Sequence, residues 1–126
     1  MAKILLIDDN DEIQAVFCQF LTGMGHEIIQ AGNGKQGLKM IEESRPDLVI
    51  TDIMMPEMDG LEILMQLRSM HDSVPVIAIS GGMHTLPVNF LQQAKLFGAR
   101  YVFEKPVPLD VLRNAVTELL GDESGE

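Results

Sequence analysis

Short apolar runs alternate along this chain with stretches in which apolar residues recur every three or four positions. Ile4–Ile7 is a continuous apolar run that stops at Asp8-Asp9. From Glu12 to Met24 the apolar positions are Ile13, Val16, Phe17, Phe20, Leu21 and Met24, the spacing of one helix face, closed by Gly23 and Gly25. Glu27–Ala31 reads as a weaker strand around Ile28 and Ile29, and Asn33-Gly34 marks a turn. Lys35–Ser44 reads as a helix with Leu38 and Ile41 inward, broken by Pro46. Leu48–Thr51 is the next strand, ending at Asp52, and a loop with Pro56 and Gly60 follows. Leu61–Met70 reads as a helix carrying Leu61, Leu64 and Leu67 on one side. Val76–Ile79 is a strand that ends at Ser80-Gly81-Gly82, and Val88–Phe97 a helix interrupted by Gln92-Gln93. Tyr101–Glu104 is a short strand ending at Lys105-Pro106, and Asp110–Leu120 a helix with Leu112, Ala115, Val116 and Leu119 inward.

Strands that are apolar on both faces and separated by helices predict a parallel sheet covered on both sides. Right-handed crossovers then lead to a doubly wound α/β fold of five strands and five helices. At 126 residues the chain makes one domain, expected over 1–121, with 122–126 a short acidic tail. A chain of this length buries enough surface to fold without a disulfide or a metal.

Composition narrows the function classes. With 46% hydrophobic residues the chain is no disordered tail, and with 5% aromatics its core must be aliphatic. A net charge of −10 repels phosphate backbones, so direct nucleic-acid binding is not expected. The single cysteine, Cys18, excludes an intrachain disulfide and reads as a small core residue. His26, His71 and His84 are scattered without metal-ligand spacing. The apolar run at the start is too short for a signal peptide and no run is long enough to span a membrane, so a soluble, cytoplasmic protein is expected.

Doubly wound folds bind ligands beyond the carboxyl ends of their strands. Those ends carry Asp8-Asp9, Ala31, Asp52, Ser80 and Lys105. Each aspartate alone could be a helix or turn cap. Together, three carboxylates against one lysine call for a compensating hard cation, and Mg²⁺ is commonly held by one or two carboxylates, water and a phosphate. Asp52, fixed at a strand end, can then act as a nucleophile toward phosphorus and form an acyl phosphate. Lys105 can pair with a phosphoryl oxygen, Ser80 can donate a hydroxyl to another, and Gly81 and Gly82 let backbone approach the group.

At these residues the sequence resembles a response-regulator receiver domain of two-component signalling, of the single-domain chemotaxis type. The segments that carry the resemblance are Ile4-Leu5-Leu6-Ile7-Asp8-Asp9, Asp52 through Gly60, Ile79-Ser80-Gly81-Gly82, and Gly98-Ala99 through Lys105-Pro106. The resemblance implies a flavodoxin-like strand order 2-1-3-4-5 with helices on both faces. It implies Asp52 as phosphoacceptor and a histidine kinase or phosphotransfer protein as donor. Mg²⁺, with Mn²⁺ as a substitute, would be ligated by Asp9, Asp52 and the Met54 backbone carbonyl, and by Asp8 through water. Ser80 would be the switch hydroxyl, Lys105 the phosphate contact, and the Lys105–Pro106 bond cis. A downstream protein target would dock on the face of the fourth helix, fifth strand and fifth helix, with no membrane or nucleic-acid contact. Such a domain is a phospho-switch that catalyses only its own phosphoryl transfer and autodephosphorylation.

The second switch position of the family, three residues before the lysine, is often aromatic, and here it is Val102. Strand alternation points its neighbours Tyr101 and Phe103 to the opposite face. Either the output surface changes differently, or Ser80 and its loop carry the signal. Other classes fit less well. A haloacid-dehalogenase-type phosphatase places a second aspartate two positions after the first, where this chain has Met54. A flavodoxin needs a Ser/Thr/Gly-rich first loop, where this chain has Asp8-Asp9-Asn10-Asp11. The chain could also be the receiver of a longer regulator, its acidic tail then a linker stub.

Overall fold

The structure, a computed structural model, describes residues 2–53, 58–80 and 88–121, with only the backbone of 88–91. Strands and helices alternate as β1 (Lys3–Ile7), α1 (Asp11–Gly23), β2 (Glu27–Ala31), α2 (Gly34–Ser44), β3 (Leu48–Asp52), α3 (Gly60–Ser69), β4 (Val76–Ser80), α4 (Val88–Leu96), β5 (Tyr101–Glu104) and α5 (Leu109–Leu120). The strands form one five-stranded sheet in the order β2-β1-β3-β4-β5, and every neighbouring pair is parallel. The α/β fold and strand order expected from the sequence are those observed.

Side chains of a strand alternate between faces, so each strand supplies both cores. Leu5, Ile7, Val49, Ile53, Val76 and Ala78 pack with Ile41 of α2, Leu61, Ile63, Leu64 and Leu67 of α3, and Ala94 of α4. Ile4, Leu6, Leu48, Ile50, Ile77 and Ile79 pack with Phe17 and Leu21 of α1 and with Leu112, Ala115 and Val116 of α5. The central strands are buried on both faces, which is why they read as uninterrupted apolar runs.

Three sequence expectations about the helices need correction. Val16 was placed on the inner face of α1, but it is 51% exposed; the buried residues there are Gln14, Phe17 and Leu21. Leu38 of α2 is only half-buried. Its helix meets the sheet through Gly34, Gly37 and Ile41 instead. At Gly37 a Cβ would collide with the Ile7 side chain, so this glycine sets how closely α2 lies against β1, and at Gly34 it would collide with the Met58 carbonyl ahead of α3. Cys18 is half-buried and outside both cores, with its Sγ 4.0 Å from Thr22 Oγ1.

Register levels the strand ends that matter. Ile7 lies opposite Thr51, Asp52 opposite Ile79, and Ser80 opposite Glu104. The residues that follow β1 and β5, Asp8 and Lys105, therefore emerge on the same sheet edge as Asp52 and Ser80.

Truncating the fully buried Ile77 in Ile77→Ala should cost about 2–5 kcal/mol of stability. Val16→Ala should change it by no more than about 0.5 kcal/mol. Denaturant unfolding of the two variants measures both, and a large loss in Val16→Ala would contradict the observed rotation of α1.

Candidate functional site

Asp8 and Asp52 sit at the ends of adjacent strands and are 3% and 5% exposed. Carboxylates buried this deeply need charged or hydrogen-bonding partners. Lys105 Nζ supplies both, at 3.2 Å from Asp8 Oδ2 and 3.1 Å from Asp52 Oδ2. The lysine belongs to the loop after β5, which lies two positions from β3 and three from β1 in the sheet, and its four-carbon stem reaches back across the strand ends. Its own backbone is fixed, since Lys105 N–H donates to the Ser80 carbonyl at 2.9 Å. The Lys105–Pro106 bond is cis, as expected.

Neither aspartate at the end of β1 caps the helix that follows. Asn10 does so: its side chain accepts from Glu12 N–H and Ile13 N–H. Asp8 Oδ1 accepts from Asn10 N–H at 2.8 Å. Likewise α3 is capped by Asp59, in a reciprocal box with Glu62, and not by Asp52. None of the three site aspartates is therefore committed to a helix end. Ligand oxygens of Asp8, Asp9 and Asp52 all lie within 4.8 Å, with Asp9 exposed to solvent. Among the described residues the donor set is oxygen only and sets three carboxylates against one ammonium. That composition fits a hard divalent cation such as Mg²⁺ and suits neither a soft metal nor an anion.

The backbone of Asp52 is gripped closely. Thr51 Oγ1 donates to the Asp52 carbonyl at 3.0 Å. A Cβ on Gly60 would lie 2.6 Å from that same oxygen and 2.8 Å from Ile53 Cα, so the first turn of α3 can press on the end of β3 only with glycine there. Ser80 is buried as the last residue of β4. Of the other residues named from the sequence, the Met54 carbonyl, Gly81, Gly82, His84 and the tail 122–126 lie outside the described residues. Val102 packs on the α2–α4 side of the sheet, whereas Tyr101 and Phe103 pack on the α1–α5 side with their rings stacked at 5.6 Å.

Sequence reading missed Gln14. Its side-chain amide is buried and donates to the carbonyls of Asp8 at 2.9 Å and Ala31 at 2.8 Å. The available signal was a polar residue set between Ile13 and Phe17 within an otherwise apolar stripe.

Burial lowers the pKa of the Lys105 ammonium, but Asp52 first and then Asp8 outweigh it by charge and hydrogen bonding. The net effect holds the group above its ordinary value of 10.5.

Comparison with known proteins gives the chain's relatives. The response regulator receiver domain family matches residues 4–117. The chain is 34% identical over 118 residues to sporulation initiation phosphotransferase F of Bacillus subtilis, covering 94% of this chain and 93% of that protein. It is 35% identical over 116 residues to the probable C4-dicarboxylate response regulator DctR of the same organism, covering 90% of this chain but only 50% of that protein. Among solved structures, a CheY-like response regulator receiver domain protein from Methanospirillum hungatei superposes with a TM-score of 0.88 at 26% identity, over 99% of this chain and 98% of that one.

A lysine whose folded-state pKa is raised stabilises the fold fully below its unfolded value and loses that contribution as pH rises through the folded value. Metal-free protein should therefore lose stability in the alkaline range above 10.5. Lys105→Met should be less stable at neutral pH and should lack that part of the alkaline loss. Denaturant unfolding followed from neutral to alkaline pH measures this, and parallel profiles for the two proteins would contradict it.

Proposed function

The chain belongs to the response regulator receiver domain family of two-component signalling, and from that premise we propose that it is a phosphorelay switch whose acceptor is Asp52. The observation that carries this reading is the buried Asp52 carboxylate, bound to Lys105 and grouped with Asp8 and Asp9 at one edge of the sheet. The phosphoryl donor is a histidine kinase or phosphotransfer protein. An Asp52 carboxylate oxygen attacks phosphorus, the new O–P bond forms as the P–N bond of the donor phosphohistidine breaks, and the electron pair leaves with the imidazole. Asp9, Asp52 and the Met54 carbonyl would hold Mg²⁺, for which Mn²⁺ can substitute, with Asp8 contacting it through water. When bound, the ion neutralises charge on the transferring group.

The chain's own groups do the rest. Lys105 already faces the Asp52 carboxylate and would follow the negative charge onto a phosphoryl oxygen. Ser80, beside it on β4, would donate its hydroxyl to another oxygen. Drawing the end of β4 toward the phosphoryl group would alter the surface of α4, β5 and α5, which a downstream protein target reads. The full-length similarity to a relative named as a phosphotransferase supports a carrier role in a relay. On this reading residues 1–121 are the receiver and 122–126 a short acidic tail. The protein acts in the cytoplasm, without nucleic acid or membrane as partner. It turns over no external metabolite and catalyses only its own phosphorylation and autodephosphorylation.

Incubation with acetyl phosphate, followed by intact-mass measurement, should add one phosphoryl group in the presence of Mg²⁺ and none with excess chelator. Asp52→Asn should abolish the addition, and Lys105→Met should slow it by about 100-fold, the loss typical of one charge-stabilising donor. Full labelling of Asp52→Asn would sink the assignment.

A further inference from the structure

We propose that Gln14 is a positioning residue of this site, acting through the peptide that joins Asp8 to Asp9; the inference rests on the phosphoacceptor reading above. Gln14 is 8% exposed and shares the buried face of α1 with Phe17 and Leu21. A polar amide in that place is costly unless its hydrogen bonds are made. Its Nε2 lies 2.9 Å from the Asp8 carbonyl, 2.8 Å from the Ala31 carbonyl and 3.5 Å from the Leu6 carbonyl. The Ala31 carbonyl also accepts from Asp8 N–H at 3.2 Å. The contacts close a ring: Asp8 N–H to Ala31, Ala31 to the Gln14 amide, and the amide back to the Asp8 carbonyl.

That ring fixes more than one residue. A peptide unit is planar, so holding the Asp8 carbonyl orients the whole unit leading into Asp9. Asp8 Oδ1 is held by Asn10 N–H and Oδ2 by Lys105. With the main chain held as well, both aspartates of the cation site start from a set direction. The amide can face only one way, because turning it over would set Oε1 against three carbonyl oxygens. The consequence is visible: Gln14 Oε1 is buried and has no hydrogen-bond partner among the described residues. An aliphatic residue would fill the space between Ile13 and Phe17 without that orphaned acceptor. What the glutamine adds is the clamp on the metal-site backbone.

Gln14→Met keeps the length of the side chain and removes the amide. Titration of metal-free protein with Mg²⁺ by calorimetry should give a Kd raised about ten-fold, as when a partner that orients a metal ligand is lost. Labelling by acetyl phosphate should need correspondingly more Mg²⁺ but reach a near-normal rate at saturation. In the unmutated chain, the Gln14 side-chain amide resonance should shift along the same Mg²⁺ binding curve, a readout that requires no variant to fold. A Gln14→Met protein with an altered Tm but an unchanged Mg²⁺ Kd would make Gln14 a packing residue and overturn the proposal, as would an amide resonance indifferent to Mg²⁺. Unmutated protein that bound no Mg²⁺ would overturn the phosphoacceptor reading and this inference together, and is told apart because it needs no substitution to appear.

Discussion

A single ammonium shared by two buried carboxylates holds the working edge of this molecule together. Asp8 lies 97 positions before Lys105 and Asp52 lies 53 before it, and only the parallel sheet makes them neighbours. The arrangement is balanced for neither partner. One positive charge faces three carboxylates once Asp9 is included, and low-dielectric surroundings strengthen both the attraction and the residual repulsion. A structure that stops there keeps an unneutralised excess of oxygen donors, and that excess is what a hard cation and a phosphoryl group can exploit. The helices serve this edge from outside. Asn10 and Asp59 take the capping duties, so that no site aspartate is spent on a helix end.

Most of the fold was legible because the central strands are buried on both faces. Ile4–Ile7 and Val76–Ile79 have no polar side to expose, and a continuous apolar run ending at a polar residue marks such a strand in one dimension. Helix faces were harder. The apolar pattern of α1 admits either Val16 or Gln14 beside Phe17, and hydrophobicity alone selects the valine. The structure selects the glutamine, because hydrogen bonds to Asp8 and Ala31 compensate its burial while Val16 turns to solvent. In α2 the signal was hidden for a different reason. Gly34 and Gly37 leave no room for a Cβ against Met58 and Ile7, and a residue with no side chain leaves no mark in a hydrophobic pattern.

The candidate site divides along the same line. Asp8, Asp9, Asp52, Ser80 and Lys105 could be picked out because their chemistry stands at strand ends, where a doubly wound fold gathers it. The groups that orient them could not. Asn10 and Gln14 act on backbone N–H and carbonyl groups, and the sequence does not say which main-chain atom a side chain will find. Gly60 illustrates the gap from the other side. In the sequence it reads as one more loop residue, yet it opens α3, and the closeness of the Asp52 carbonyl is what excludes a larger residue.

How the edge could speak to the surface depends on β5. Its alternation divides its residues cleanly: Val102 packs toward Ala78 and the α4 side, while Tyr101 and Phe103 stack on the α5 side. A β-branched valine has few rotamers and no ring to swing, so position 102 can report only small changes in packing. A second connection runs through one residue. Lys105 N–H donates to the Ser80 carbonyl, and the Lys105 ammonium holds Asp52, so this residue touches Asp52 with its side chain and the end of β4 with its backbone. If Asp52 is the phosphoacceptor proposed above, a charge change there would pull on the Lys105 ammonium and, through the backbone of the same residue, on the end of β4 and the turn before α5.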